Sequence, residues 1–365
     1  MTIFLLIVGL ALLVAGAELL VRGAAKIASV CGISPLVIGL TIVAYGTSTP
    51  ELAVNLKAAA AGQADIAIGN VVGSNIFNVL FILGLCALIK PLVVAAQLVR
   101  LDVPLMMGAS VGTWWLASDG VLSRFDGALL FTGIAIYTVF AIRQSRKESA
   151  AVKAEYEHEA HLPASRPARG AKFWVVQTTL ILGGLVVLVV GARWVVDSSI
   201  TIAQSLGISE LVIGLTIIAA GTSLPEVATS IVATLRGQRD IAIGNVVGSN
   251  LYNLGAILGV SALLMPEGLA VSPAALRFDI PVMTAVAVAC LPVFFTGHTI
   301  ARWEGGLFFG YYVAYTAYLV LAAQQHDALP AFSTVMLWFI IPLTVVTLGV
   351  VLTRHLGARK RATAQ

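Results

Sequence analysis

Residues 32–84 align with residues 207–259 at a fixed offset of 175, without a gap, and 35 of the 53 pairs are identical. "GLTIVAYGTSTPE" faces "GLTIIAAGTSLPE", and "DIAIGNVVGSNIFN" faces "DIAIGNVVGSNLYN". The chain is therefore a duplicated pair of halves, and its fold must accommodate the same segments twice.

Charged residues are 11% of the 365, and the mean hydropathy is +0.95. Soluble domains carry about 25% charged residues, so this is an integral membrane protein. The net charge of +4 does not indicate nucleic acid, because the basic residues lie in short loops between apolar runs. A span needs about 20 apolar residues. Eleven runs qualify, near 2–28, 35–61, 66–89, 98–118, 125–143, 173–199, 208–235, 241–265, 276–297, 303–323 and 331–353. Backbone polar groups in lipid must be satisfied within their own segment, so these spans are helices. The first run lacks a basic n-region and continues through "GAELLVRG", which reads as an uncleaved span rather than a signal peptide. Cys31, Cys86 and Cys290 share no metal spacing and read as packing residues.

Orientation follows from Lys and Arg. With the N-terminus outside, 18 of the 22 basic residues fall on the cytoplasmic side and two, Arg124 and Arg277, on the outer side. Lys57 and Arg193 lie within spans. An odd span count puts the basic tail in the cytoplasm, and a cell (inner) membrane location is expected. Five spans per half make equivalent spans cross in opposite directions, an inverted-topology repeat. The expected fold is an all-α polytopic membrane protein with about 10–11 transmembrane helices in two inverted five-helix repeats. The first repeat covers 1–143, a cytoplasmic linker 144–172, the second repeat 173–323, and an additional span with a basic tail 324–365. Glu155, Glu157, His158, Glu159 and His161 of the linker have metal-ligating side chains, but a solvated linker or surface helix is the simpler expectation.

"GTSTPE" places Glu51 16 residues into its span, roughly 24 Å along the helix and near mid-membrane. An ionised carboxylate there costs several kcal/mol unless paired. No Lys or Arg lies at similar depth in the other repeated spans, so a mobile cation is the expected partner. Pro50 removes the helix partner of the Gly46 carbonyl and opens that turn, exposing neighbouring carbonyls such as those of Ala44 and Thr47. Pro225 does the same to Gly221, beside Glu226. Carbonyls, hydroxyls and carboxylates are hard oxygen ligands suited to Na+ and Ca2+. Gly69 with Gly73, and Gly244 with Gly248, form G-x-x-x-G pairs that let helices approach closely. Ser74 and Asn78 then share one helix face and are expected to point at Glu51. The two halves together offer Glu51 and Glu226, Asn78 and Asn253, and Ser48, Ser74, Ser223 and Ser249, with threonine hydroxyls and carbonyls.

Blander readings exist for each part: a proline kink, a packing motif, hydroxyls bonded to their own helix. Mirror placement of the carboxylates favours a joint cation site. Glu18 with Arg22, and Arg193 with Asp197, read as structural pairs four residues apart or as a cross-repeat pair. Asp65 and Asp240, at span starts, read as helix N-caps.

"GTSTPE" and "GTSLPE", each followed by "GNVVGSN", resemble the two alpha-repeats of the sodium/calcium exchanger family, prokaryotic type, within the cation/calcium antiporter superfamily. The resemblance implies a site built by spans two, three, seven and eight. Ca2+ would sit between Glu51 and Glu226 with the carbonyls of Thr47 and Thr222. Na+ would use Ser48, Ser74, Ser223 and Ser249 and the carbonyls of Ala44 and Ala219. Spans one and six would slide across the rest, and their small residues Gly9, Ala15, Gly16, Gly183, Gly184 and Gly191 suit sliding. Some members carry Asp at one of the positions held here by Asn78 and Asn253. Two carboxylates still neutralise one Ca2+, and the absence of that Asp reads against K+ co-transport.

The implied function is a secondary antiporter exchanging Ca2+ for Na+ by alternating access, with no cofactor beyond the transported ions and no catalytic activity. The partners are those ions and the bilayer, without nucleic acid. The alternative is a Ca2+/H+, or other divalent cation, antiporter of the same fold. A channel sits poorly with inverted repeats that each carry a proline-broken helix. A hydrolase lacks a His or Lys base near its serines.

Overall fold

A computed structural model describes residues 1–160 and 170–363, with the side chains of 29, 148–160, 210, 211, 215, 219 and 354–363 outside that description. The side chains of the linker candidates Glu155, Glu157, His158 and Glu159 and of the tail residues Arg354, Arg359, Lys360 and Arg361 thus lie outside that description, and His161 lies outside the described residues altogether.

All eleven expected places hold helix. The helices are α1 (Thr2–Cys31), α2 (Pro35–Thr47), α3 (Thr49–Ala60), α4 (Ala64–Ile89), α5 (98–116), α6 (Arg124–Ala160) and α7 (Ala171–Ser205). They continue as α8 (210–221), α9 (Leu224–Leu235), α10 (Arg239–Leu264), α11 (Ala275–Phe295), α12 (Arg302–Ala323) and α13 (329–363). Among the described residues, eight are single helices long and apolar enough to cross a membrane. The second span is the pair α2 and α3, bent by 47° at Ser48. The seventh is the pair α8 and α9, broken before Leu224. In the fifth span the apolar stretch is Arg124–Lys147, and the helix α6 runs on beyond it through Ala160.

The breaks follow from local chemistry. Pro50 stands in the first turn of α3 and Pro225 in the first turn of α9, where a missing N–H costs nothing. The turns that join these elements recur at the repeat offset: Gly32 and Gly207 have φ of 62° and 74°, and Gly62 and Gly237 have φ of 71° and 75°. Each is a left-handed stop that only glycine adopts without strain. Wider π-helical turns recur as well, at Gly39–Val43 and Gly214–Ile218, and at Asn78–Leu83 and Asn253–Leu258.

The halves interleave rather than sit side by side. A Cβ on Gly84 of α4 would lie 2.9 Å from the Gly305 carbonyl oxygen of α12, and one on Gly127 of α6 would lie 2.6 Å from that of Gly259 in α10. Two short antiparallel staples also join the halves, Leu92–Val93 with Thr299–Ile300 and Val121–Leu122 with Leu269–Ala270.

Helices α1 and α7 have 30 and 35 residues, about 45 and 52 Å at the helical rise. A hydrocarbon core of roughly 30 Å accommodates such lengths only with tilt or with ends beyond the apolar layer. They pack against each other through glycines seven residues apart. Gly9 meets Gly191, Gly16 meets Gly184, and Gly23 meets the Gln177 carbonyl. Of the glycines expected to serve sliding over the rest of the bundle, Gly9, Gly16, Gly184 and Gly191 join these two helices to each other, and Gly183 meets nothing within 4 Å. The motif glycines do face this pair: a Cβ on Gly46 would be 2.9 Å from Leu185 and one on Gly221 2.7 Å from Val196, both on α7.

The halves share a sequence, but their packing differs. On one side Gly39, Gly244 and Gly248 bring α2 and α10 into contact, with an added Cβ on Gly248 only 2.4 Å from the Leu40 carbonyl oxygen. On the equivalent side, among the described residues, a Cβ on Gly69, Gly73 or Gly214 would meet nothing within 4 Å. Ile241 is fully buried, whereas its counterpart Ile66 is 51% exposed. The first turns of α4 are therefore exposed where those of α10 are covered, and exposure falls to 1% at Ser74.

Glu18 bonds Arg22, as expected, and also Arg236 at 2.6 Å, which ties α1 to the end of α9. No ion pair joins Arg193 to Asp197 among the described residues, so the expected pair at those positions does not form. Asp65 and Asp240 sit inside the first turns of their helices, and the N-cap positions are Gln63 and Gln238 without a side-chain cap bond. Their carboxylates favour those termini through the helix dipole instead.

The α1–α7 contact yields a test. Gly16→Ala places a methyl 2.8 Å from the Gly184 carbonyl and is expected to cost about 1–3 kcal/mol by overpacking. Gly183→Ala, which meets nothing within 4 Å, is expected to be neutral or stabilising by up to about 1 kcal/mol. Thermal melts of the detergent-purified variants compare them, and equal melting would contradict the contact.

Candidate cation site

The two helix breaks bring Glu51 and Glu226 to the first turns of α3 and α9, where the helix dipole favours negative charge. Each carboxylate is 1% exposed. Their contacts cross between the halves: Ser48 Oγ donates to Glu226 Oε1 at 2.7 Å, and Ser223 Oγ donates to Glu51 Oε1 at 2.9 Å. The second oxygens, Glu51 Oε2 and Glu226 Oε2, are buried with no hydrogen-bond partner. Among the described residues no ion pair involves either carboxylate.

The other expected ligands converge on the same region with differing engagement. Ser223 Oγ lies 3.3 Å from Ser74 Oγ, while the equivalent Ser249 Oγ is buried without a partner. Asn78 and Asn253 do not bond the glutamates. Each donates its amide across the halves, Asn78 to Asn250 Oδ1 and Asn253 to Asn75 Oδ1, both at 3.0 Å. Their own Oδ1 atoms are buried without partners. Thr47 Oγ1 lies 3.1 Å from Asn245 Oδ1, and Thr222 Oγ1 3.4 Å from Asn70 Oδ1. The Ala44 carbonyl accepts from Ser48 N–H at 3.0 Å and lies 3.3 Å from Thr47 Oγ1. To meet a cation it must give up part of that bonding. Ala219 opens the last segment of α8, with its side chain outside the described residues.

A layer of residues outside the expected set holds this arrangement. Asn245 donates to Ser230 Oγ at 3.0 Å, and Asn70 donates to Asn55 Oδ1 at 2.7 Å. Ser230 and Asn55 occupy equivalent positions with different side chains, so repeat identity gives no signal for them. Asn70, Asn75, Asn245 and Asn250 are identical across the repeat; they could have been found inside "GNVVGSN". Two further carboxylates flank the core: Tyr137 donates to Asp102 at 3.0 Å and Tyr315 to Asp279 at 3.1 Å. Their signal is a second recurring string, "RLDVP" and "RFDIP".

The residues thus converge on the contact between α3, α4, α9 and α10. The side-chain groups that converge there offer carboxylate, hydroxyl and amide oxygens, which suit hard cations. Two buried carboxylates with idle oxygens are costly as bare anions and are neutralised by one divalent or two monovalent ions.

Fold and site together describe a cation antiporter, and comparison with known proteins gives the family. The sodium/calcium exchanger protein family model matches residues 1–143 and 176–321. The chain belongs to the sodium/calcium exchanger family. It is 38% identical to the inner membrane protein YrbG of Escherichia coli over 287 residues, 78% of this chain and 86% of that one. It is 35% identical to the sodium/calcium exchanger MaX1 of Methanosarcina acetivorans over 343 residues, 86% of this chain and 97% of that one. The fold matches the solved structure of the sodium-calcium exchanger NCX_Mj soaked with zero Na+ and Ca2+, with a TM-score of 0.74 and 30% identity, covering 87% of this chain and 98% of that one. This is a multi-pass membrane protein of a transporter family.

A ligand that binds only the folded state at 100 times its Kd stabilises by about 2.7 kcal/mol. Ca2+ is expected to raise the melting temperature of the detergent-purified protein accordingly. The double variant Glu51→Gln, Glu226→Gln is expected to show no such rise and to melt higher than wild type in chelator, having lost its bare buried charges. A calcium-induced rise that survives in the double variant would place the binding elsewhere.

Proposed function

We propose that this protein is a secondary antiporter that moves Ca2+ in exchange for Na+ by alternating access, with Glu51 and Glu226 as the central ligands. The observation that carries the reading is the set of buried, partnerless oxygens: Glu51 Oε2, Glu226 Oε2, Asn78 Oδ1 and Asn253 Oδ1. They come in equivalent pairs, two per half, and supply the hard donors of a Ca2+ site. Ser48, Ser74, Ser223 and Ser249, with the carbonyls of Thr47, Thr222, Ala44 and Ala219, complete the ligands for Na+ and Ca2+. The Ala44 carbonyl, which accepts from Ser48 N–H at 3.0 Å, gives up part of that bonding to meet a cation. Sodium coupling is also supported by the likeness to MaX1, a sodium/calcium exchanger.

Coupling follows from the charge. An empty site carries two bare carboxylates in the membrane interior, which costs several kcal/mol. Passage through a closed, dehydrated state is therefore favourable only with cations aboard. One Ca2+ or two Na+ restore neutrality, so each crossing exchanges one load for the other. The tight α2–α10 face and the open α4 face are the two gates, one shut and one ajar. We assign the N-terminus to the outer side, on the Lys and Arg asymmetry, which makes the exposed α4 face the external gate. The likeness to YrbG, an inner membrane protein, supports a cell (inner) membrane location.

The test is radioactive calcium uptake into proteoliposomes loaded with Na+ and diluted into Na+-free buffer, beside a set carrying only a pH gradient. Uptake that needs internal Na+ and disappears in Glu51→Gln and Glu226→Gln is the expected result. Uptake that follows the pH gradient and ignores Na+ would replace this reading with proton exchange.

A further inference from the structure

We propose that Asn75 and Asn250 are positioning residues that fix which end of the Asn253 and Asn78 amides faces the transported cation. The inference rests on the site described above and adds the layer that orients it. A side-chain amide presents an acceptor oxygen at one end and a donor NH2 at the other. At a cation site the two ends have opposite effects: the oxygen coordinates, and the NH2 repels.

The orientation is set by backbone. Asn75 Nδ2 lies 3.3 Å from the Asn250 carbonyl oxygen, which only accepts, so the NH2 of Asn75 belongs there. Its other end, Oδ1, then accepts from Asn253 Nδ2 at 3.0 Å. That leaves Asn253 with its NH2 engaged and its Oδ1 turned away, buried and partnerless. The mirror relay runs the other way. Asn250 Nδ2 donates to the Asn75 carbonyl oxygen at 3.3 Å, Asn250 Oδ1 accepts from Asn78 Nδ2 at 3.0 Å, and Asn78 Oδ1 is left idle. Sulfur closes the remaining side of each NH2, at 3.7 Å from Met283 for Asn75 and 3.6 Å from Met106 for Asn250.

All four asparagines are at most 2% exposed, so water does not compete for these bonds. Flipping either inner amide would set oxygen against the backbone oxygen and NH2 against NH2. The peptide carbonyls cannot turn, and they are the reference for the whole relay. Each relay also crosses the halves: Asn75 of the first orients Asn253 of the second, and Asn250 of the second orients Asn78 of the first. A clasp that merely held the halves together would account for the inner bonds. It would not account for both outer amides ending with the same, otherwise wasted, oxygen free.

The test is a double-mutant cycle on the full-length protein in Na+-loaded proteoliposomes, reading the KM for Ca2+ and the maximal rate separately. Asn75→Ser is expected to raise the KM about threefold to tenfold, the range of one net hydrogen bond, with the maximal rate within about twofold. In an Asn253→Ser background the same change is expected to do nothing further, because the amide it orients is gone. Effects that multiply, or an unchanged KM in Asn75→Ser with uptake intact, would overturn the proposal. Asn250→Ser with Asn78→Ser forms an independent second cycle with the same outcomes, and it decides the matter if Asn75→Ser does not elute as folded protein. Wild-type vesicles that take up no Ca2+ under either gradient would sink the antiporter reading, whereas active wild type with independent Asn75 and Asn253 effects would sink only the positioning role.

Discussion

Two carboxylates without a cationic side chain to pair them are the constraint on which the rest of this structure depends. Glu51 and Glu226 are each 1% exposed, and each receives one serine bond from the opposite half. Everything near them reduces the cost of holding that charge without cancelling it. The proline breaks put each glutamate at a helix N-terminus. The serines satisfy one oxygen of each carboxylate and leave the other idle. The asparagines behind contribute oxygens and keep their donors turned away. A fixed Lys or Arg at this depth would remove the cost and, with it, any reason for a mobile cation to bind.

The duplication turns this electrostatic problem into a transport geometry. Because the halves interleave through Gly84 with Gly305 and Gly127 with Gly259, each half supplies ligands to the same centre. Because they are inverted, the helices that line one approach have counterparts lining the other. In this structure one approach is closed by Gly39, Gly244 and Gly248, and the other is open along Ile66 and Gly69. Identical strings thus occupy unequal environments. That inequality is expected of a chain with two equivalent states, since a single molecule adopts one at a time.

Helices α1 and α7 form the other moving-part candidate. Their glycines face one another every seven residues, so the pair is a unit, and any slide over the bundle carries both helices together. The unit touches the site at its two weakest points, with Leu185 and Val196 set against the motif glycines Gly46 and Gly221. A position of the pair and a shape of the helix breaks are therefore linked by packing. The eleventh span, α13, stands apart from this machinery. It lies beyond the family match, which ends at residue 321, and it is held to α12 by Tyr311 bonding Thr344 at 2.7 Å.

Much of the fold was legible before any coordinates. Apolar length alone determined the helices, since lipid permits no unsatisfied backbone, and an odd span count in each half determined their inversion. The carboxylates, the prolines and the oxygen-only character of the centre were readable from strings that recur intact. What only the tertiary structure decided is who touches whom. Ser48 serves Glu226 rather than Glu51, Asn78 answers to Asn250, and Asn55 and Ser230 do one task with different side chains. The expected Arg193–Asp197 pair does not form, and the glycines of α1 and α7 lock the two helices together. Periodicity and spacing report which residues share a helix face. They carry no information on which faces meet, because that depends on how two interleaved halves divide one core, and on which of two nearly equivalent packings the chain occupies.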